Sequence, residues 1–301
     1  TLTEFPIDSP SGFVHFMAEK AASINKEQPN IAILNYRGTY SNELESLKRC
    51  HAQLRATREI EAGELLLGDI REITCVDGRA YLNGRPIALI YNKVDQLQID
   101  PQDPDVSGWF DASVSSGTEF LNSLGSMYLA ETKRALALLS DPTWNTCLGL
   151  SKEEEAAIWE LVPFTRLIED FAEGGDLGHS LPARHQHSFV LKADAMTRGC
   201  GVTIGDQVTR DAWIQALNDT RSNQGVAQLK CHLPSRTAAQ ADLKGDAVSV
   251  TEFYGVDVFF FGPQFSGLVS RSHSNQVFNV GNGGRECPVL IVGERNARSM
   301  A

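Results

Sequence analysis

Apolar positions recur along this chain with two different periods, and segments of the two kinds alternate. In the first part, apolar residues are spaced as on one face of a helix in two segments, and they form short continuous runs or alternate with polar residues in others. The Asp77-Gly78 pair between two such short runs is typical of a tight hairpin turn. The pattern predicts helices over Phe13–Ile24 and Asn42–Ala56, and strands over Asn30–Tyr36, Ile73–Val76, Ala80–Leu82 and Pro86–Tyr91.

The middle of the chain is predicted to be mostly helical. Gln98–Gly108 contains three Asp and two Pro and is expected to be a loop or linker. Thr118–Leu139 has helical spacing and stops before Asp141-Pro142. Ser151 followed by Glu154 forms a capping box, which predicts a helix that continues to about Leu161. Glu173–His187 is expected to be a loop.

The last 115 or so residues are dominated by strand patterns. One helix is expected there, over Thr209–Asn218, and Trp159 and Trp213 are expected to be core residues of their helices. Because strand and helix signals alternate through the chain, the fold class is α/β or α+β. The predicted strands are Phe189–Ala193, Cys200–Ile204, Gly225–Cys231, Ala247–Thr251, Tyr254–Phe261, Gly267–Arg271, Gln276–Val280 and Val289–Val292.

Composition and charge exclude several classes of partner. The 301 residues are 42% hydrophobic and carry a formal charge of −11, without a cluster of Lys and Arg. A nucleic acid or an anionic membrane needs a basic face, so neither is expected as a partner. No apolar run approaches the roughly 18–20 residues that cross a bilayer, and no signal peptide is recognised. The six cysteines are scattered without a CxxC pair, which favours reduced thiols and a cytoplasmic location.

The segment with the clearest chemical content is Phe189–Gly205. A strand delivers Lys192, and the glycines Gly199 and Gly201 then lead into a second strand. Such a hairpin can fold over a triphosphate, because lysine offers a point charge and glycine amides approach an anion without obstruction. A surface hairpin with a solvated lysine is the alternative reading of the same pattern.

Polar residues within the later strands extend this series. The strand Val226–Lys230 could offer backbone groups to an adenine edge. Asp257 interrupts a very apolar strand, and a buried aspartate would need a cation or hydrogen-bond donors; an aspartate that points to solvent fits the period equally well. Arg271 suits transferring phosphoryl oxygens, and Asn279 offers an oxygen ligand for magnesium.

The order of these features resembles the ATP-grasp superfamily, in particular the bacterial peptide and amino-acid ligases similar to D-alanine–D-alanine ligase and glutathione synthetase. The resemblance runs from about Ile87 to the C-terminus. It rests on Asn122-Ser-Leu-Gly-Ser126, Lys133, Val162-Pro163-Phe-Thr165, the Lys192 hairpin, Val226-Ala-Gln228-Leu229, and the series Asp257, Arg271, Asn279 and Gly283-Gly284.

The resemblance implies a fold, a reaction and a set of roles. The fold would be an α/β pre-ATP-grasp unit over residues 1–112, a mostly helical connecting region over 113–187, a lid over 188–235 and a C-terminal lobe over 236–301, with the last two clamping ATP. The reaction would join a carboxylate to an amine through an acyl phosphate, with ATP and Mg²⁺ as cofactors. The implied roles are as follows: Lys133 and Lys192 bind ATP phosphates, Gly199 and Gly201 form the lid, Gln228, Leu229, Lys230 and Cys231 form the adenine hinge, Asp257 and Asn279 bind magnesium, and Arg271 and Lys192 act in catalysis.

The chain departs from the family pattern at two positions. Leu229 replaces the acid of the hinge, and Val277 replaces a glutamate that bridges two magnesium ions, although Gln276 or Asn275 could offer an oxygen nearby. These departures leave open a second reading, an ATP-binding protein that kept the fold but lost turnover. A third reading is a phosphotransferase of the same fold that phosphorylates a small molecule without joining an amine. The two substrates cannot be read from the sequence, and a homodimer is compatible with it.

Overall fold

The computed structural model divides into two compact units. Unit 1 comprises residues 1–127, 258–268 and 290–301, and unit 2 comprises residues 128–257 and 269–289. The four-part division expected from the sequence stays a prediction. The residues that the structure describes are 9–38, 42–94, 99–121, 123–172, 175–194, 196, 199–241, 247–277, 279–280, 283–287 and 289.

Unit 1 is built around a four-stranded parallel sheet in the order β2-β1-β6-β7. The inner strand β1 is buried along its whole length. Its successive residues belong in turn to two different core clusters, one on each face of the sheet. A sheet covered on both faces favours a continuous apolar run, which explains why this strand was predicted correctly. Its elements are β1 Ile31–Asn35, β2 Leu65–Asp69, β6 Leu89–Asn92, β7 Glu119–Leu121, α1 Ser9–Ile24, α2 Asn42–Ala56 and α3 Ser107–Ser113.

A small antiparallel sheet follows in the same unit. Its strands are β3 Ile73–Val76, β4 Arg79–Leu82 and β5 Arg85–Pro86. Asp77 and Gly78, with φ angles of 49° and 74°, form the turn between β3 and β4. Two successive positive φ angles are what a two-residue hairpin turn requires, so the predicted hairpin is confirmed.

The expectation of one helix over Thr118–Leu139 is wrong. The Thr118 hydroxyl is buried and bonds the backbone of two other segments, at Ala80 and Ile87, which holds this stretch extended. Residues 119–121 then form β7, parallel to β6. The helical part is broken into α4 Leu124–Ala130 and α5 Arg134–Leu139.

The expectation of a linker over Gln98–Gly108 is wrong at its end. Ser107 begins α3, and the next residue but one, Trp109, is fully buried with its indole N–H bonded to Asn92 Oδ1 at 3.0 Å. Val106, just before this helix, is also buried, so the end of the segment leads into the core of unit 1. Aspartate and proline residues marked its turns correctly but gave no sign of the tryptophan's environment.

Unit 2 contains an antiparallel sheet in the order β10-β9-β11-β8. Helix α9 packs against it, and Trp213 and Leu217 of this helix are fully buried with Leu191 of β9. The placement of Trp213 in the core is thus confirmed. The elements are β8 Thr165–Leu167, β9 Phe189–Lys192, β10 Val202–Ile204, β11 Val226–Leu229 and α9 Arg210–Ser222.

Shorter helices lie before β8 and between β8 and β9. Those before β8 are α6 Pro142–Cys147 and α7 Lys152–Leu161, and the one between the two strands is α8 Leu181–Arg184. The capping box of Ser151 and Glu154 is present in both directions, as predicted. Trp159 on α7 is 49% exposed, however, so its assignment to the core is wrong. The predicted loop over 173–187 is interrupted by α8, and residues 173–174 lie outside the described part.

The last sheet has the order β12-β13-β14-β15. The two strands expected over 247–261 are one long strand, β12 was not predicted, and residues 276, 277, 279 and 280 are not in a strand. Val289 is also outside a strand, and the rest of the predicted strand to Val292 lies beyond the described residues. The strands are β12 Ser235–Ala241, β13 Ala247–Phe261, β14 Gln264–His273 and β15 Arg285–Cys287.

Both units combine sheets with helices, so the predicted mixed α/β class is confirmed. All six cysteines are free thiols. Within the described residues, no helix has the length and apolarity that crossing a bilayer demands.

Candidate functional site

The hairpin of β9 and β10 forms one wall of the candidate site in unit 2. Lys192 ends β9 and pairs with Val202 at the start of β10. Gly199 and Gly201 lie in the connection with φ angles of 78° and 67°. A Cβ at position 201 would lie 2.7 Å from Cβ of Ala193, so glycine is required there by both space and backbone conformation. The predicted strand–glycine turn–strand arrangement is confirmed.

The ammonium group of Lys192 is held by a chain of hydrogen bonds from the neighbouring strands. Its Nζ donates to Gln228 Oε1 at 2.6 Å, and Gln228 Nε2 donates to Thr165 Oγ1 at 2.8 Å. Thr165 in turn donates to the carbonyl of Pro163 at 2.7 Å. Gln228 and Thr165 are buried, so the lysine is oriented from beneath by groups that have little freedom to move.

Burial lowers the pKa of Lys192 below its ordinary value, and the nearby charge of Lys133 lowers it further, whereas Cys231 acts in the opposite direction. Desolvation and a like charge both disfavour the protonated amine. An anion placed between the two lysines would relieve both effects. The electrostatics therefore favour a negatively charged ligand at this place.

A cavity of about 280 Å³ opens beside Lys192. Its volume is near the lower end of the roughly 300–1,000 Å³ range of small-molecule sites. Five of the residues predicted to bind the nucleotide line it, together with apolar side chains that suit the faces of a planar ring. The lining residues are Val190, Lys192, Val202, Ile204, Gln228, Leu229, Lys230, Cys231, Leu233, Gln276 and Val277.

The backbone of the predicted adenine hinge is partly used within the protein. The amide of Leu229 donates to Phe164 and the amide of Lys230 to Ser188, at 2.8 and 2.9 Å. The Lys230 ammonium pairs with Asp206. A ligand would consequently bind backbone groups of this segment other than the amides of Leu229 and Lys230. Lys230 lines the cavity, while its ammonium group is paired with Asp206.

Lys133 lies at the start of α5, where its amide and the Thr132 hydroxyl both bond to Asp194. Its Nζ is 3.4 Å from the carbonyl of Glu131. It does not line the cavity, but its charge acts on Lys192, so the two predicted phosphate lysines are near one another.

The predicted metal ligand Asp257 has a different environment from the one expected. Its side chain is 48% exposed, so the premise that it is buried is wrong. Arg271 Nη1 lies 2.6 Å from its Oδ2, and Arg271 Nε lies 3.8 Å from Glu286. Val256 and Val258 on either side of it are also about half exposed, so an aspartate open to solvent, the other outcome that the sequence allowed, is what the structure shows.

This arrangement does not fit a magnesium ion held by Asp257 and Asn279. The guanidinium of Arg271 already neutralises the carboxylate of Asp257, which removes the negative charge that would attract a divalent cation. At Asn279 the backbone carbonyl accepts from the amide of Gly284 at 2.9 Å, a bond that does not involve the side-chain oxygen predicted as the ligand. Among the residues that the structure describes, no group of three or more His, Cys, Asp or Glu could hold a metal ion.

Sequence reasoning gave no role to Thr165 or Asp194 and only a doubtful one to Gln276. Gln276 lines the cavity, and its Oε1 is buried without a hydrogen-bond partner in the described part of the chain. Thr165 belongs to the quoted Pro-x-Thr segment, which could have singled it out. Asp194 lies only two residues after Lys192, but nothing in a linear sequence indicates its bond to residues 132 and 133.

A larger depression of about 680 Å³ lies in unit 1, lined by Lys26, Arg55, Glu61, Asn30 and their neighbours. Its charged side chains are of both signs, and none of the predicted site residues is among them. The cavity at Lys192 is the better candidate because it combines apolar walls with a half-buried cation.

No protein-family model matches the chain, and no curated protein does. Solved structures resemble it at low identity. They include D-alanyl-alanine synthetase A from Vibrio cholerae, with a TM-score of 0.38 and 9% identity, covering 79% of this chain and 72% of that one. A protein described as a gamma-glutamylcysteine synthetase from Methylobacillus flagellatus has a TM-score of 0.47 and 13% identity, and the match covers 90% of this chain and 70% of that one. VanG D-Ala:D-Ser ligase from Enterococcus faecalis has a TM-score of 0.30 and 11% identity, and the match covers 81% of this chain and 75% of that one. At these scores the likeness carries no argument about the reaction.

Proposed function

We propose that the chain is an ATP-dependent carboxylate–amine ligase that forms an amide bond between small amino-acid-like substrates. The observation that carries the proposal is the cavity at Lys192. Residues predicted from separate sequence segments to bind one nucleotide, at positions 192 and 228–231, line this single cavity. The wall also supplies apolar side chains, among them Val190, Ile204 and Leu233, that suit the faces of a planar ring.

In the proposed reaction the γ-phosphorus leaves the bridging oxygen of ADP and bonds a carboxylate oxygen of the first substrate. The amine of the second substrate then attacks the carbonyl carbon of the acyl phosphate, phosphate departs, and the nitrogen loses a proton. No covalent attachment to the protein is required. The protein's contribution is position and charge.

Lys192 and Lys133 would neutralise phosphate oxygens of ATP. Gln228 and Thr165 hold the Lys192 ammonium in one place, so little reorganisation is needed when the phosphate arrives. Arg271 is the proposed cation for the transferred phosphoryl group. The glycine turn of the β9–β10 hairpin would cover the phosphates and exclude water, which otherwise hydrolyses the acyl phosphate. Magnesium is implied by the family resemblance alone.

A second reading is a nucleotide-binding protein with impaired turnover. The pairing of Asp257 with Arg271 favours it, since that carboxylate is then not open to a metal ion. Leu229 and Val277, in place of two family acids, point in the same direction. This reading shares the Lys192 cavity and differs only in the outcome of the chemistry.

The test measures ATP binding by calorimetry and ADP release in the presence of mixed amino acids and small peptides. A ligase binds ATP and releases ADP only when a carboxylate and an amine are supplied. Binding without substrate-dependent ADP supports impaired turnover. The variant Lys192→Met should lose ATP affinity, whereas Lys152→Met, at a lysine whose side chain is 88% exposed, should retain it. If the wild-type chain binds no adenine nucleotide, both readings are wrong.

The scattered free thiols support a cytoplasmic location as part of this proposal. Small-molecule substrates are proposed as the partners. A homodimer remains compatible with the proposal.

A further inference from the structure

Asp194 connects two segments of unit 2 that each carry one of the predicted phosphate lysines. Its Oδ1 accepts from the Thr132 hydroxyl at 2.6 Å and from the Lys133 amide at 2.7 Å. Asp194 follows Lys192, the last residue of β9, by two residues. One carboxylate oxygen therefore links the chain at Lys133 with the chain at Lys192.

These bonds also organise the first turn of α5. Lys133 is the N-cap residue of that helix, and its own side chain makes no capping bond. The Thr132 hydroxyl donates to Asp194 and accepts from the Arg134 amide at 3.2 Å. Asp194 thus supplies from elsewhere in the chain the acceptor that a helix start needs, and its negative charge suits the positive end of the helix.

A second contact joins the same regions without involving the lysines. Arg134 Nη1 donates to Gln224 Oε1 at 2.8 Å, and the Asp194 amide is 3.3 Å from the carbonyl of the adjoining Asn223. Support for α5 alone could be supplied by the Arg134 contact. Asp194, in contrast, bonds directly to the backbone of Lys133 and lies two residues after Lys192.

The positive charges of the two lysines repel one another. In the absence of a ligand, another interaction is needed to keep the two residues close together. We propose that Asp194 is a positioning residue, which holds Lys133 and Lys192 at the spacing that a polyphosphate bridges. The inference rests on the proposed function, because it assigns the two lysines to one ligand. Asp194 itself bonds Thr132 and Lys133, and its role does not require contact with the nucleotide.

The experiment measures the affinities for ATP, adenosine and inorganic tripolyphosphate in wild type, Asp194→Ala, Asp194→Asn and Thr132→Val. We expect Asp194→Ala to weaken ATP and tripolyphosphate about tenfold, because two hydrogen bonds to a charged acceptor are lost. Adenosine, which has no phosphate, should bind as in wild type. Asp194→Asn keeps an oxygen acceptor and should recover most of the affinity for ATP and tripolyphosphate. Thr132→Val removes one of the two bonds, so its affinity should lie between those of Asp194→Ala and wild type.

Gln224→Gly is the matched control. It removes the Arg134 contact, and glycine adopts the φ of 51° at this position freely. Its affinity for tripolyphosphate should equal that of wild type, because the Arg134 contact involves neither lysine. If Asp194→Ala does not fold, Asp194→Asn and Thr132→Val carry the comparison.

The inference is overturned if ATP binds Asp194→Ala as tightly as wild type, or if adenosine and ATP weaken equally, which would indicate a structural role only. These outcomes differ from failure of the proposed function, which appears in the wild type. A wild-type chain that binds tripolyphosphate but not ATP removes the ligase and leaves the lysine spacing to be decided by the variants. A wild-type chain that binds neither removes both.

Discussion

Arg271 and Asp257 form an ion pair, with 2.6 Å between Nη1 and Oδ2. The two residues were predicted to act separately, one on the phosphoryl group and one on magnesium. Glu286, opposite Arg271 on β15, places a second carboxylate near the same guanidinium. An arginine between two carboxylates occupies the position that a cation would otherwise take.

This pair leads to a prediction about metal affinity. Arg271→Met should strengthen binding of Mn²⁺, used as a spectroscopic substitute for Mg²⁺, because it leaves Asp257 and Glu286 as unneutralised oxygen donors. Electron paramagnetic resonance titration of free Mn²⁺ measures the effect. The double variant Arg271→Met with Asp257→Asn should lose the gain. Equal affinity in wild type and Arg271→Met would show that the ion pair does not control the metal.

A second prediction concerns the pH dependence of nucleotide binding. Burial, followed by the charge of Lys133, lowers the pKa of Lys192, so this lysine loses its proton at a lower pH than an exposed lysine. The ordinary pKa of lysine is 10.5. As the pH is raised, ATP affinity should therefore begin to fall before the pH reaches this value. Calorimetric titrations over pH 7–10 measure the decline. An affinity that follows only the titration of ordinary lysines would contradict the assignment.

The same lowered pKa gives stability a defined slope. The folded chain binds fewer protons than the unfolded chain between the folded pKa of Lys192 and 10.5, so unfolding free energy should rise with pH in that window. Below the window the cost of the buried charge is fully present. Lys192→Met should remove this rise, as measured by urea unfolding, whereas Lys152→Met should leave it.

A third prediction separates backbone strain from steric overlap at the glycine turn. Gly201→Ala introduces a Cβ at a φ of 67° and 2.7 Å from Ala193 Cβ. Gly84→Ala has a similar φ of 74° but no atom within 4 Å of the new Cβ. Gly84→Ala should cost about 1 kcal/mol from the backbone alone, and Gly201→Ala more. Urea unfolding measures both; equal losses would show that the hairpin relaxes around residue 201.

A fourth prediction concerns acid stability in unit 1. Burial, with a contribution from Arg55, lowers the pKa of His51 to about 4. The unfolded chain takes up a proton near pH 6.5 and the folded chain does not, so stability should fall as the pH drops from 6.5 towards 4. The full effect is about 3 kcal/mol, and His51→Leu should flatten this part of the curve. A slope that persists in His51→Leu would assign it to other groups.

Local patterns were enough for most of the elements that carry the site. Helix α2 has the predicted bounds, the Asp77-Gly78 turn has the predicted backbone, and the Lys192 hairpin forms as expected. In each case the signal is short-range. Apolar residues at helical spacing bury one face of a helix. A turn dipeptide and glycines allow the positive φ angles that a turn needs. Each of these effects is independent of residues far along the chain.

Other elements depended on partners that are distant in sequence. Residues 119–121 form a strand because β6 offers a free edge, and Trp159 is exposed although its helix is correctly capped. Neither outcome follows from propensity, since burial depends on which surface another element covers.

The sequence by itself determined the mixed α/β class, the lysine hairpin and the strand β11, because periodicity and turn chemistry act within a few residues. Only the tertiary structure decided that Asp257 pairs with Arg271 and that Asp194 joins Lys133 to Lys192. A hydrogen bond or an ion pair needs atoms within about 3–4 Å, and residues 61 positions apart reach that distance only after the strands and helices have packed.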